Sequence, residues 1–151
     1  MNRRTFLATT GGAVSAALAG CIGRSTFSPG EYDIGMSSNA FVPQKHTISI
    51  GDTVVWKNTS SRAHSVTAYE NAIPADAEYF ASGGFESEQM ARKSWVRQSG
   101  RNGGKILGGQ TYKHTFEVPG TYNYFCIPHE MVMIGKIIVE DGGSNKKDEN
   151  K

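Results

Sequence analysis

Apolar and polar residues alternate along two stretches of the chain, residues 41–58 and 110–140. In the first, Phe41-Val42-Pro43 precedes His46-Thr47-Ile48-Ser49-Ile50, which has the two-residue period of a strand. Gly51-Asp52 then turns the chain into a second strand, Thr53-Val54-Val55-Trp56-Lys57-Asn58. A polar loop over 58–62 delivers His64-Ser65-Val66-Thr67 onto a further short strand. In the second stretch, Tyr112, His114, Phe116 and Val118 share one face, with Thr111, Lys113, Thr115 and Glu117 on the other. Pro119-Gly120 marks a turn, residues 121–126 form a strand with Tyr122, Tyr124 and Cys126 on one face, and 133–140 is the last strand.

Between the two stretches the strand period is lost, through Ile73-Pro74, an acid-flecked segment and a Gly-rich run over 100–109. Only 86–95 has helical character, with Phe85, Gln89 and Met90 spaced for one face and Ala91 within it. Many short strands, Gly and Pro turns and one short helix inside a long excursion predict an all-β chain folded as a β-sandwich. No internal repeat is visible. At 151 residues and 38% hydrophobic, the chain holds one core and not two.

The ends read differently. Asn2-Arg3-Arg4-Thr5-Phe6-Leu7, a short small-residue apolar stretch and Leu18-Ala19-Gly20-Cys21 together read as a twin-arginine export signal over 1–20 with a lipoprotein cleavage box. The apolar stretch is too short for a permanent membrane-spanning helix. Residues 21–31 then form a polar tether carrying lipid on Cys21, 32–140 the folded domain, and 141–151 a polar tail expected to be disordered. These readings place the domain on the outer face of the cell membrane. Removing residues 1–20 takes two arginines and leaves basic and acidic residues equal at 14 each. No basic cluster stands outside the termini, so nothing suggests a nucleic-acid surface.

Lipid on Cys21 leaves Cys126 as a lone thiol in an oxidising compartment, where an exposed thiol is lost to oxidation unless burial or coordination protects it. Cys126 and His129 stand three residues apart on a short loop between two strands, and His64 is the candidate third ligand from far away in sequence. Two imidazoles and a thiolate with a weak axial methionine are the donor set of a blue-copper electron-transfer site. Zinc prefers a full tetrahedral set, and an enzyme with several copper ions needs more histidines than the four present. His46 and His114 are read as structural, with His114 on the apolar-facing side of its strand. The chain is therefore expected not to be an enzyme, and the rival reading is a copper-delivery protein without a redox role.

Several motifs in order carry a resemblance: Ala40-Phe41-Val42-Pro43, Gly51-Asp52-Thr53-Val54-Val55-Trp56-Lys57-Asn58, His64-Ser65-Val66, Ile73-Pro74, Val118-Pro119-Gly120-Thr121-Tyr122, and Tyr124-Phe125-Cys126-Ile127-Pro128-His129-Glu130. Over residues 39–139 the chain resembles plastocyanin, and in particular the halocyanin-type plastocyanin-like proteins of archaea. The resemblance implies a cupredoxin Greek-key sandwich and one type 1 copper ion held by His64, Cys126, His129 and a downstream methionine. It also implies one-electron transfer between redox proteins, membrane electron-transfer complexes or cytochromes, by a monomer. It further implies that the Ser65 N–H points to the Cys126 sulfur, and that His129 lies under an apolar patch of Phe41, Pro128 and Met131.

The axial position departs from the family. Methionine usually follows the second histidine by five residues, where this chain has Ile134. Met133-Ile134-Gly135 keeps the usual Met-x-Gly order with one residue missing upstream, which favours Met133. Met131 is the alternative, and a third is that neither sulfur serves.

Overall fold

The computed structural model describes residues 31–98 and 101–142; the export signal, most of the tether and nearly all of the tail lie outside the described residues. Two four-stranded sheets face each other. One has the order β2-β1-β4-β6, from β1 (Ile34–Met36), β2 (Phe41–Val42), β4 (Thr53–Asn58) and β6 (Thr111–Thr115). The other has the order β3-β8-β7-β5, from β3 (Lys45–Ser49), β5 (Thr67–Ala68), β7 (Gly120–Phe125) and β8 (Ile134–Glu140). Both sheets are mixed: β1 runs parallel to β4, and β3 parallel to β8.

Alternation decides which side chains meet between the sheets. On β8, Gly135, Ile137 and Val139 are buried while Ile134, Lys136 and Glu140 are exposed. Tyr122 and Tyr124 do the same for β7, and Val54 and Trp56 come from β4 across the gap. Trp56 is fully buried at the centre, with Tyr124 edge-on at 5.5 Å and Tyr112 at 5.6 Å between ring centroids. Losing a buried aromatic of this size costs about 3–5 kcal/mol. The same cluster runs on into Cys126 and Met133, so the end of the core is already the beginning of the site.

Three local expectations are corrected. Ile34–Met36 is a fully buried strand that alternation could not reveal, because three residues carry no measurable period. His64 to Val66 is irregular backbone, tied down by a two-way bridge between His64 and Ile106 (3.1 and 2.8 Å), and only Thr67–Ala68 forms a strand. The helix α1 (Glu88–Arg97) starts later than the pattern suggests. The Ser87 hydroxyl caps it by accepting from the Met90 N–H at 3.1 Å, and Ala91 rather than Met90 is its buried residue.

Gly135 is the point where β8 approaches the core most closely. A Cβ built there would stand 2.4 Å from Cζ and 2.5 Å from Oη of the buried Tyr124 ring. Gly135→Ala is therefore expected to lower stability by about 1–3 kcal/mol through overpacking. Chemical denaturation would read this as a lower midpoint at unchanged slope, and an unchanged midpoint would show that the ring can give way.

Candidate metal centre

Cys126 follows the last residue of β7, where the inward alternation of Tyr122 and Tyr124 keeps its side chain fully buried. The chain then closes a tight loop on itself. Cys126 N donates to Met133 O (3.0 Å), His129 N to Cys126 O (3.1 Å), and Met133 N back to His129 O (2.8 Å). Residues Ile127–His129 form one short helical turn, with Pro128 near its start. The loop thus offers the Cys126 thiol and the His129 ring from one side, and His64 enters from the irregular segment between β4 and β5, where Ile106 holds it.

The donor atoms converge. Cys126 Sγ lies 3.5 Å from His64 Nδ1 and 3.6 Å from His129 Nδ1, and one ligand atom from each residue falls within 4.8 Å of the others. Nitrogen and sulfur bound to one ion at about 2.0 and 2.3 Å stand about 3.5–3.7 Å apart for angles between tetrahedral and trigonal. The spacing therefore fits a single metal ion. Among the described residues this is the one such cluster; His46 and His114 stay outside it. The His114 ring instead stacks on Phe80 at 4.7 Å and meets Phe116 edge-on at 4.8 Å.

Electrostatics prepares the donors unequally. Burial lowers the pKa of His64, with His129 nearby adding to the effect, and burial followed by the Arg62 charge lowers that of His129. Both imidazoles are thereby kept neutral, with a lone pair to give. Burial pushes the Cys126 thiol up to about 11, opposed by the Ser65 N–H that points at the sulfur (3.4 Å). A metal binding here must displace that proton, and the thiolate it leaves is one a buried pocket would not otherwise hold. The Ser65 hydroxyl also accepts from Ile127 N at 2.9 Å, so one residue beside His64 holds both the sulfur and the loop behind it.

The methionines separate cleanly. Met133 is fully buried and belongs to the core cluster that contains Cys126, whereas Met131 is 95% exposed. Phe41 is 3% exposed and packs edge-on against Tyr124 at 4.6 Å, so it is a core residue and not part of a surface patch at His129. Pro128, Met131 and Val132 are the exposed apolar residues that line one hollow with that ring.

Two supports escaped the sequence reading. The first fixes His64. Asn58 Nδ2 donates to the carbonyls of Arg62 and Ile106 (2.5 and 2.8 Å), so its Oδ1 must be the acceptor that receives Ser60 N and the Ser60 hydroxyl, each at 2.8 Å. With its proton directed to Asn58, Ser60 Oγ has only lone pairs left for His64 Nε2 at 3.0 Å. In that arrangement His64 carries its proton on Nε2 and turns a bare Nδ1 toward Cys126. An Asn-x-Ser turn after a strand is the one sequence signal that could have suggested this.

The second support clamps the ligand loop. Arg92 on α1 grips Glu130 with two parallel hydrogen bonds (2.8 and 3.0 Å), bonds Glu88 through Nε at 2.9 Å, and lies 4.3 Å above the Phe125 ring. Phe125 in turn stacks on Tyr69 at 4.3 Å, whose hydroxyl also donates to Glu130 (3.1 Å). The Arg92 contact holds the Glu130 carboxyl below its ordinary range. Nothing in the sequence pairs residues 92 and 130.

The Ser60 relay makes a specific demand. Ser60→Ala is expected to weaken metal affinity about 10–100-fold, the usual effect of removing the partner that orients a histidine ligand, while Ser60→Thr restores it. Competition against a chelator measures the affinity, and 15N shifts of His64 in the metal-free protein report the tautomer. An Nε2-protonated ring that survives Ser60→Ala would rule the relay out.

Comparison with known proteins bears on the same residues. A model of the copper binding proteins of the plastocyanin/azurin family matches residues 30–140. The major chloroplastic plastocyanin isoform of Arabidopsis thaliana is 32% identical over 106 residues, covering 70% of this chain and 54% of that protein. Chloroplastic plastocyanin of Tetradesmus obliquus is 30% identical over 110 residues, covering 71% and 64%. Plastocyanin A'/A'' of Nicotiana tabacum is 32% identical over 101 residues, covering 66% and 87%. The chain thus spans about half of the length of the Arabidopsis relative and nearly all of the tobacco one. A reduced amicyanin mutant shares the fold at 24% identity, with a TM-score of 0.50 over 76% of this chain and 86% of its own. Sandwich, donor cluster and family model agree over the same span: this chain belongs to the plastocyanin/azurin family of copper binding proteins.

Proposed function

We propose that the chain is a mobile one-electron carrier that holds one type 1 copper ion between His64, Cys126 and His129, with Met133 as the axial donor. The convergence of one thiol and two neutral imidazoles at 3.5 and 3.6 Å is the observation that carries this reading. Bound there, copper supplies a one-electron couple between its two oxidation states. Everything else falls to the protein. Burial of His64, Cys126 and Met133 excludes water, and the Ser65 N–H tempers the charge on the sulfur. The closed hydrogen bonds of the ligand loop keep donor positions the same in both oxidation states, which keeps reorganisation small.

Burial supports Met133 over Met131 as the sulfur donor, because a side chain 95% exposed faces solvent rather than the cluster. His129 is the half-buried member of the set and stands among exposed apolar residues, which suits it as the point where electrons enter and leave. The visible spectrum tests these roles together. Copper-loaded protein is expected to show an intense blue band that bleaches on reduction. Cys126→Ser abolishes the band, Met133→Leu shifts it and raises the potential, and Met131→Leu leaves both unchanged. A spectrum insensitive to Met133 and changed by Met131 would reverse the assignment.

The partners we propose are membrane-associated redox proteins at the outer cell surface, reached by a domain exported on the twin-arginine route and tethered by lipid on Cys21. The paired arginines and the Leu-Ala-Gly-Cys box support this. Cys21→Ala is expected to move the protein from the membrane to the soluble fraction with its blue band intact. Equal membrane retention would remove the lipid from the account.

A further inference from the structure

Charge is divided between the two ends of the sandwich. At the metal end, Arg62 places a guanidinium nitrogen 3.4 Å from His129 Nε2. Lys45 and Lys136 face each other in register on β3 and β8, both exposed, and share a hollow with Ile134. Ile134 pairs with Phe125, the neighbour of Cys126, so these lysines border the same surface. Among the described residues, Arg62, Lys45 and Lys136 enter no ion pair. Glu130, the one acid of the ligand loop, is tied back to α1 by Arg92, which also holds Glu88. The opposite end carries Asp52 in the β3–β4 turn, Glu117 in the β6–β7 turn, and Glu140 and Asp141 at the end of β8.

Overall basicity does not explain the cationic end, since acidic residues outnumber basic ones over 31–142, twelve to ten. Beside His129 the ligand loop presents Met131 and Val132, 95 and 60% exposed, and Ile134, 43% exposed, follows at the start of β8 next to the lysine pair. An apolar centre flanked by exposed cations that no carboxylate pairs is the form of a surface that docks briefly and selects by charge.

We infer that the metal end docks a redox protein whose electron-exchange surface is apolar at its centre and rimmed by carboxylates, which Arg62, Lys45 and Lys136 meet. This rests on the electron-carrier reading. A protein is favoured over an anionic lipid surface because the apolar patch surrounds the ring through which electrons leave, and only a partner holding a redox centre can receive them. The charge division also orients the approach. A domain attracted at one end and repelled at the other arrives with His129 forward, and such steering raises association rates by about 10–1000-fold at low salt.

The test uses the full copper-loaded chain, reduced, against two outer-sphere oxidants of opposite charge. Hexacyanoferrate(III) and tris(phenanthroline)cobalt(III) each take one electron from the protein and become the corresponding iron(II) and cobalt(II) complexes. The hexacyanoferrate rate is expected to fall about tenfold as ionic strength rises from about 10 to 200 mM, while the cobalt rate rises, because salt screens charges beyond about 10 Å. Arg62→Glu/Lys45→Glu/Lys136→Glu, its fold checked by the retained blue band, inverts both trends. Lys113→Glu, in the middle of β6 and with the same change of net charge per site, inverts neither. Poly-L-glutamate, a carboxylate polypeptide, slows the hexacyanoferrate reaction of the wild type and not that of the triple variant.

Equal salt responses toward both oxidants would overturn the docking inference while leaving the carrier reading standing. Protein that exchanges electrons with neither oxidant would overturn the carrier reading itself. Retention on phosphatidylglycerol vesicles that the triple variant loses, without any effect of polyglutamate, would assign the rim to a membrane and overturn the protein partner.

Discussion

A buried sulfur that must carry charge is the constraint on which the rest of the structure depends. A thiolate is costly in an apolar core, and burial alone drives Cys126 toward the neutral thiol. The protein answers with positive ends of dipoles and neutral donors placed around one point. The Ser65 N–H points at the sulfur, and the bridge to Ile106 holds the His64 backbone. The ligand loop closes through backbone bonds between Cys126, His129 and Met133. A metal cation then completes a site whose walls are already in place.

The sandwich is the means of bringing these groups together. β7 ends where Cys126 begins, and β8 starts immediately after Met133, so two neighbouring strands pin both ends of the ligand loop. His64 lies in the irregular segment that crosses from one sheet to the other and is drawn in by Asn58, the last residue of β4, through Ser60. The close approach at Gly135 belongs to the same geometry, because it sets the height of β8 above Tyr124 and hence the place from which Met133 enters the core. Core packing and donor placement are one set of contacts.

Much of this was legible in the sequence because it lies in local periodicity and short motifs. The alternations in β4, β7 and β8 set which residues face inward, and the Cys-x-x-His spacing lies on the loop between the last two strands. Met133 was favoured over Met131 from the Met-x-Gly order, and burial points the same way. What stayed hidden depends on distance in sequence. β1 is too short to show a period, the parallel pairing of β3 with β8 joins strands about ninety residues apart, and nothing local links Arg92 to Glu130. Phe41 was placed at the surface by its nearness to the site, when its ring is needed against Tyr124.

The long excursion shows why the hidden part matters. From the sequence it is an irregular insertion with one short helix, and its core contribution comes from Phe80 and Ile106 rather than from α1. Yet α1 supplies Arg92, which covers the Phe125 ring and binds Glu130 with both terminal nitrogens. An unpaired Glu130 carboxylate would stand next to the metal-bearing histidine and oppose the positive field that Arg62 creates there. Pairing draws the carboxylate toward α1, where Glu88 shares the same guanidinium, and, because the pair is bidentate, fixes the loop. A half-exposed ion pair contributes little to global stability. Its importance lies in where the ligand loop and its one carboxylate are held, which an insertion remote in sequence determines.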